Sequence, residues 1–123
     1  AFFIGGYRSL GVFNTDHKLG SFTGDSLAAV IGTAETELAP RNRSLVTHVR
    51  PIVDTDDATG SLSFRNRVAD TVSTTANTAM HSTGTIPFHK SARYFKFNLQ
   101  IPAATTWSDA QGIDIEAIKE GYR

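Results

Sequence analysis

The sequence predicts an all-β fold, an antiparallel β-sandwich of jelly-roll-like character with about six to eight short strands. β-Branched, aromatic and small residues outnumber the strong helix formers among its 123 residues. Short apolar–polar alternations recur along the chain, and clusters of turn-forming residues separate them. The sequence has no internal repeat and no heptad pattern, so we expect one domain over residues 1–123.

The charge balance limits what the chain attracts. It has 12 basic and 12 acidic residues and a formal net charge of zero. We therefore expect no long-range attraction to nucleic acid or to an anionic membrane, whereas a near-neutral surface does little to keep copies apart. The lack of cysteine excludes disulfides and thiolate metal sites. The apolar residues 1–6 are too few for a signal peptide or a membrane span, and we expect either a whole chain or the C-terminal domain of a larger one.

The first third of the sequence predicts short strands and one long loop. Residues 2–4 and 11–13 are expected to be short strands, and the turn-rich residues 14–24 a loop. Residues 27–33 are apolar or small at every position but one, which favours a strand buried on both faces. A short helix over 26–31 is the competing interpretation.

The middle of the sequence predicts a strand over 45–53 after a turn at 39–43. Its expected inner face holds Leu45, Val49 and Val53, and its outer face His48 and Arg50. Pro51 has no amide hydrogen for the ladder, so that end should lie at a sheet edge or a bulge.

The next predicted features are a hairpin loop over 54–60 and a strand over 61–68. The expected inner residues of that strand are Leu62, Phe64 and Val68, and the expected outer residues are Ser61, Ser63, Arg65 and Arg67. An outer strand over 70–75 and an exposed loop over 76–84 follow.

The strongest pattern in the sequence predicts one long strand over 88–101. Four large residues at strict period two share its inner face: Phe95, Phe97, Leu99 and Ile101. A one-residue slip would move all four to the wrong face, so the register is well specified. A loop over 102–106 and a last strand over 113–116 complete the expected fold.

The residues that carry chemistry form no recognisable catalytic or metal site, and we predict neither. The acidic loop with Asp54, Asp56 and Asp57 lacks the glycine and glutamate placement of an EF-hand, and a turn explains it. The four histidines (His17, His48, His81 and His89) have no zinc-site spacing, and no serine lies in a nucleophile elbow. Asp114, Glu116 and Glu120 are acidic residues of the kind that glycosidases pair, but a solvated face is favoured.

Two further groups are candidates for contact with partners. Lys90, Arg93 and Lys96 lie near aromatic residues and form a local basic band that suits a DNA channel or an acidic neighbour, although cross-strand pairing with acidic residues is favoured. Trp107 and Tyr122 are either core caps or interface anchors, and for Trp107 we favour the core cap.

Several short motifs follow one another in a fixed order, most densely after Arg93. They are Phe22-Thr23-Gly24 before Leu27-Ala28-Ala29, Thr33-Ala34-Glu35, Val49-Arg50-Pro51-Ile52-Val53-Asp54, Arg93-Tyr94 through Ile101-Pro102-Ala103, Trp107-Ser108-Asp109-Ala110-Gln111-Gly112-Ile113-Asp114, and Glu120-Gly121-Tyr122-Arg123. In order and spacing they resemble the C-terminal β-rich region of virion proteins from short-tailed bacteriophages, of the tail-nozzle, tail-tube and packaged-DNA-stabilisation type.

The resemblance implies a non-enzymatic structural protein of the virion, made in the host cytoplasm and needing no cofactor. Such a protein would form a homo-oligomeric ring in the tail or head-to-tail connector, beside connector, portal or tail proteins and in weak contact with packaged DNA. The alternatives are a capsid-decoration or host-glycan-binding sandwich that uses loops around Trp107 and Tyr122, and, ranked lowest, a small hydrolase.

Overall fold

The computed structural model describes residues 11–21 and 25–121, and within them the fold is all-β with antiparallel sheets, as predicted. The strands are β1 (Gly11–Phe13), β2 (Leu19–Ser21), β3 (Ala29–Gly32), β4 (Thr36–Glu37), β5 (Ser44–Val53), β6 (Thr59–Arg65), β7 (Ser73–Thr74), β8 (Thr78–Ala79), β9 (Ile86–Ala92), β10 (Tyr94–Ile101) and β11 (Ala110–Lys119). There are more strands than expected because several contain only two or three residues, too few to show an alternation. The strand predicted at 2–4 and the Phe22-Thr23-Gly24 turn lie outside the described residues.

Two sheets pack face to face around one core. The larger has the order β3-β10-β6-β7, with β4 also paired to β10 and β8 to β6, and the smaller has the order β11-β5-β9. Val46 and Val49 of β5 and Ile86 of β9 meet the inner face of the larger sheet in one apolar cluster. The fold is therefore sandwich-like.

The inner face of β10 forms the centre of that cluster. Phe95, Phe97, Leu99 and Ile101 all lie there with almost no exposed surface. The ring of Phe97 meets that of Phe88 edge to face, with centroids 5.9 Å apart. Because Phe88 belongs to β9, this contact joins the two sheets directly.

The single strand expected over 88–101 is two strands in different sheets, so that prediction was wrong. The chain bends at Arg93, between β9 and β10. The guanidinium of Arg93 donates to the carbonyl of Arg41 over 3.3 Å and lies 3.6 Å from the Glu37 carboxylate. These contacts hold the corner at which the chain passes from the small sheet to the large one.

A β-bulge in β5 corrects the predicted face of Leu45. The register with β9 shifts between Val46 and His48, so the alternation changes phase there. Val46 is buried in the core in place of Leu45, which lies half-buried on the other face. Pairing with β9 ends at Val49, so Pro51 is bonded to β11 alone, at a local sheet edge as expected.

The loop over 54–60 is a crossover between sheets rather than a hairpin, since β5 and β6 belong to different sheets. The expected faces of β6 also need correction. Ser61 and Ser63 were predicted to face solvent but are buried, because β7 and β8 pair alongside this strand. The hydroxyls of Ser63 and Thr74 share a hydrogen bond of 2.9 Å. The strand ends at Arg65, and Val68 beyond it is 67% exposed.

The segment over 27–33 is a strand, not a helix, and only one face of it packs inward. Ala29 and Ile31 contact the core, whereas Val30 is largely exposed. Burial on both faces was wrong because Val30 lies opposite Gln100 on the outward face of the large sheet, away from the core.

Residues 11–21 form a hairpin. The prediction of a loop over residues 14–24 is therefore wrong for the part that β2 occupies. β1 and β2 pair with Phe13 opposite Leu19. The side-chain oxygen of Asn14 closes the turn by accepting from the amides of Asp16 and Lys18, each over 2.9 Å. Every described side chain of the hairpin is exposed, including Phe13 at 74%.

The two margins of the small sheet differ. β11 presents ten residues without a proline, and among the described strands it pairs only with β5. β9 carries Pro87 and a left-handed backbone at His89, with φ of 51°. Proline and irregular backbone are among the usual means of blunting a sheet edge. β11 has one bulge, at Gln111, but no proline, so it is the less protected of the two margins.

Candidate functional site

Asp54 fixes the turn that follows Trp107. Its carboxylate accepts from the hydroxyl of Ser108 over 2.7 Å and from the amides of Ser108 and Asp109 over 3.0 Å. The Asp54 amide in turn donates to the Asp109 carbonyl over 3.2 Å. The Ser108 hydroxyl, and then these amides, lower the pKa of Asp54 to about 2, because all of them favour the ionised carboxylate. Asp54 is therefore a structural clamp.

The clamp borders an open cavity of about 310 Å³. The cavity is lined by the end of β5 from Arg50 to Asp54, and by Asp109 and Gln111 at the start of β11. Its volume lies at the lower end of the range for small-molecule sites. It thus has room for one small ring or one large side chain.

Arg50 is the only cation among the lining residues of this cavity. It is exposed and lies opposite Asp114 in the strand register, with no ion pair between them. Within residues 11–21 and 25–121 its guanidinium has no hydrogen-bond or salt-bridge partner. All its side-chain donors are therefore available to a ligand.

The residues at the start of β11 supply hydrogen-bond acceptors to the cavity. The side-chain amide of Gln111 donates to one carboxylate oxygen of Asp109 over 2.8 Å. The second Asp109 oxygen and the Gln111 carbonyl oxygen accept no hydrogen bond from the described residues. The apolar part of the lining comes from Pro51, Ile52 and Val53, and of these Ile52 is 41% exposed.

Trp107 packs half-buried against the core, just before the clamped turn. Its indole N–H is buried and has no hydrogen-bond partner among the described residues. This placement is that of a cap at the end of the sandwich. Tyr122, the other candidate cap or anchor, lies outside the described residues.

A second polar group lies on the outer face of β5 and β11. His48 Nε2 is 2.6 Å from the Glu116 carboxylate, and His48 Nδ1 is 3.3 Å from the Thr47 hydroxyl. This order of hydroxyl, imidazole and carboxylate is that of a nucleophile, base and orienting group. However, the Thr47 hydroxyl also lies 3.3 Å from the Glu116 carbonyl, and its single proton serves one of the two acceptors. The network fixes the β-bulge at Thr47 and requires no reaction.

The remaining acidic and histidine candidates are dispersed. Within the described residues, no three histidine or acidic side chains are placed to hold a metal ion. Asp56, Asp57 and Asp114 are exposed, and Glu120 bonds the Ser91 hydroxyl. His17 and His89 both have left-handed backbone conformations, which links them to turns and irregular strand geometry.

The basic band is divided between the two sheets. Lys90 is exposed on β9 and Lys96 on β10, whereas Arg93 is half-buried at the corner between them. The contacts of Arg93 with Arg41 and Glu37 are structural. The two lysines are the members of the band that face solvent.

Comparisons of the chain with protein-family models, with curated proteins and with solved structures give no match. The structure also contains no helix, among the residues it describes, that is long and apolar enough to cross a membrane.

Sequence reasoning missed the cavity and the role of Asp54. The acidic loop was interpreted as a hairpin turn that needs no metal ion, but the partners of Asp54 come from a turn 54 residues away. The sequence contained one signal for it. The Ser-Asp pair after the sole tryptophan is typical of a turn, and an acidic side chain can accept hydrogen bonds from the amides of such a turn. Nothing in the sequence indicated that Arg50 has no partner among the described residues.

Proposed function

We propose that this chain is a non-enzymatic structural protein of a bacteriophage virion, a ring-forming component of the tail or of the head-to-tail connector. Its copies would associate through strand edges and loops, beside neighbouring connector, portal or tail proteins. The order of the sequence motifs supports the virion assignment. The observation that carries the assembly role is the open margin of β11.

β11 is suited to pairing with another chain. Among the described strands β11 pairs on one side only, so its ten residues present a row of amide and carbonyl groups to an incoming strand. Ile118 near its end is 56% exposed, so apolar area is available as well as backbone. Strand addition uses the main chain for affinity and the alternate side chains for selectivity.

The β1–β2 hairpin is a second contact element. A two-stranded hairpin is at best marginally stable in water by itself. Phe13 and Leu19 are paired across it and both are largely exposed. Docking against a neighbour would bury these side chains and stabilise the hairpin, which explains an apolar pair at such a position.

A contact with packaged DNA would be local and weak, as the zero net charge of the chain requires. Lys90 and Lys96 are the exposed cations available for it, whereas Arg93 is engaged at the corner.

Sedimentation velocity and negative-stain microscopy test the ring. The unmodified protein should form a closed oligomer at high concentration, and Ile118→Lys should shift it toward monomer because a lysine on the edge opposes strand addition. Val68→Lys is the matched control, since Val68 is similarly exposed but lies outside every strand. A strict monomer at every concentration, or equal effects of the two variants, would overturn assembly through β11.

A capsid-decoration or host-glycan-binding sandwich is the second candidate. The observation that favours glycan binding is the cavity beside the turn after Trp107. A glycan array on which signal disappears with Trp107→Ala, while circular dichroism shows that this variant is still folded, would support it.

A further inference from the structure

We propose that the cavity at the end of β5 binds one ring of a neutral saccharide, held by Arg50, Ile52, Asp109 and Gln111. This inference deepens the glycan-binding candidate and does not depend on ring assembly. It rests on the charges, the free hydrogen-bonding groups and the shape of this one place.

The charges around the cavity select against ionic ligands. One guanidinium, Arg50, lies among three carboxylates: Asp54 and Asp109 in the lining, and Asp114 opposite Arg50 in the register. An anion that approached Arg50 would be repelled by these carboxylates, and a cation would meet the guanidinium. A neutral ligand that both donates and accepts avoids both penalties.

The free polar groups match adjacent hydroxyls. Arg50 offers several N–H donors in one plane. Asp109 and Gln111 each keep one oxygen that accepts no hydrogen bond from the described residues. A ring bearing neighbouring hydroxyl groups satisfies donors on one side and acceptors on the other.

The shape supplies the apolar contact that a sugar ring also needs. Ile52 is partly exposed, and the residue opposite it in β11 is Gly112. A Cβ atom added to Gly112 would meet nothing within 4 Å, so there is open space beside Ile52. The C–H face of a pyranose fits such a space, with the hydroxyls directed at the polar wall.

The part of the site at the start of β11 is held by hydrogen bonds before any ligand arrives. The Asp54 clamp holds Ser108 and Asp109, and Asp109 in turn holds Gln111. Groups fixed in advance lose less conformational entropy on binding. The clamp therefore has a purpose beyond closing the turn.

Saturation-transfer NMR of the whole chain with the methyl glycosides of glucose, galactose and mannose tests the proposal, with glucuronate and inorganic phosphate as anionic probes. At least one neutral glycoside should receive saturation, and glucuronate should bind no better than the glucoside. Arg50→Gln should weaken binding about tenfold or more, since a hydrogen bond to a charged group is lost. Gly112→Val should abolish it by filling the space beside Ile52.

Matched controls separate the site from general damage. Lys96→Gln removes an exposed cation from the other sheet, and Gly121→Val adds a side chain where there is equally open space. Both should bind like the unmodified protein, and circular dichroism should show every variant folded. Absence of saturation in all neutral glycosides, preference for glucuronate or phosphate, or binding that survives both site variants would overturn the proposal. Sedimentation of the same samples reports ring assembly separately.

Discussion

Gly60 lies directly against the ring of Phe97. A Cβ atom on Gly60 would stand 2.7 Å from Cε2 and Cζ of that ring and 2.9 Å from Ile86 Cδ1. Phe97 and Ile86 are fully buried and come from different sheets. The missing side chain at residue 60 therefore allows the two sheets to close on each other.

Replacing Gly60 should destabilise the fold by overpacking. We expect Gly60→Ala to lower the free energy of unfolding by about 1–3 kcal/mol, because a rigid aromatic ring in a filled core has little room to move. Urea denaturation followed by the fluorescence of Trp107, the sole tryptophan, measures it. Gly112→Ala, which adds the same methyl group in open space, is the control. Equal stability of the two variants would contradict the close approach.

Phe97 and Phe13 should differ sharply when each is replaced by alanine. We expect Phe97→Ala to cost about 3–5 kcal/mol, since it leaves a cavity under the Phe88 ring. Phe13→Ala should stay within about 0.5 kcal/mol, because that ring is mostly exposed. Thermal and urea denaturation of dilute protein, where assembly does not contribute, compare the two. A large loss from Phe13→Ala under those conditions would mean that the hairpin packs on its own chain.

Because of the Asp54 clamp, the free energy of unfolding should decrease as the pH falls into the acid range. The folded-state pKa of Asp54, about 2, lies below the ordinary value of 3.8 for this carboxyl group, so the folded chain binds fewer protons in this range. The stabilisation from ionised Asp54 is therefore complete above pH 3.8 and is lost as the pH falls toward 2. Asp54→Asn should be less stable near neutral pH and should show a smaller further loss across this window. Asp56→Asn, which changes a neighbour outside the clamp, should keep the slope of the unmodified protein in urea titrations at successive pH values.

Trp107 should act on folding rather than on assembly. Trp107→Ala removes a half-buried side chain that packs on the core, so we expect a loss below the roughly 3–5 kcal/mol of a fully buried tryptophan. Circular dichroism during urea denaturation measures the loss, since this variant has no tryptophan to report it. The oligomer size at matched folded fraction should not change. A variant with unaltered stability but altered size would make Trp107 an interface anchor instead.

The sequence was sufficient for the fold class and for the centre of the core. The strict alternation from Phe95 to Ile101 identified the inner face of β10, because four large residues leave one acceptable register. The same pattern failed at the limits of the strand. Residues 88–92 continue the extended pattern into another sheet, and the corner depends on contacts of Arg93 with Arg41 and Glu37 that are remote in sequence.

The errors in side-chain direction have a common cause. A bulge at Thr47 changes the phase of β5, so Val46 and not Leu45 enters the core. Ser63 is buried because the short β7, which shows no periodicity, pairs beside it. In both cases the deciding partner is another strand, which a period-two count within one strand cannot detect. The cavity escaped prediction for the same reason, since Arg50 and Gln111 meet only through strand pairing.

The proline at position 87 and the left-handed His89 have a consequence for how far association proceeds. Because β9 is blunted and β11 is open to pairing, the two margins of the small sheet are not equivalent. A copy that pairs at β11 offers no second receptive margin in this sheet at which a further copy could pair. If copies pair through β11, the blunted β9 opposes indefinite extension of this sheet into a fibre of the cross-β kind. In that case an assembly larger than a pair would need a second, different contact besides this strand pairing.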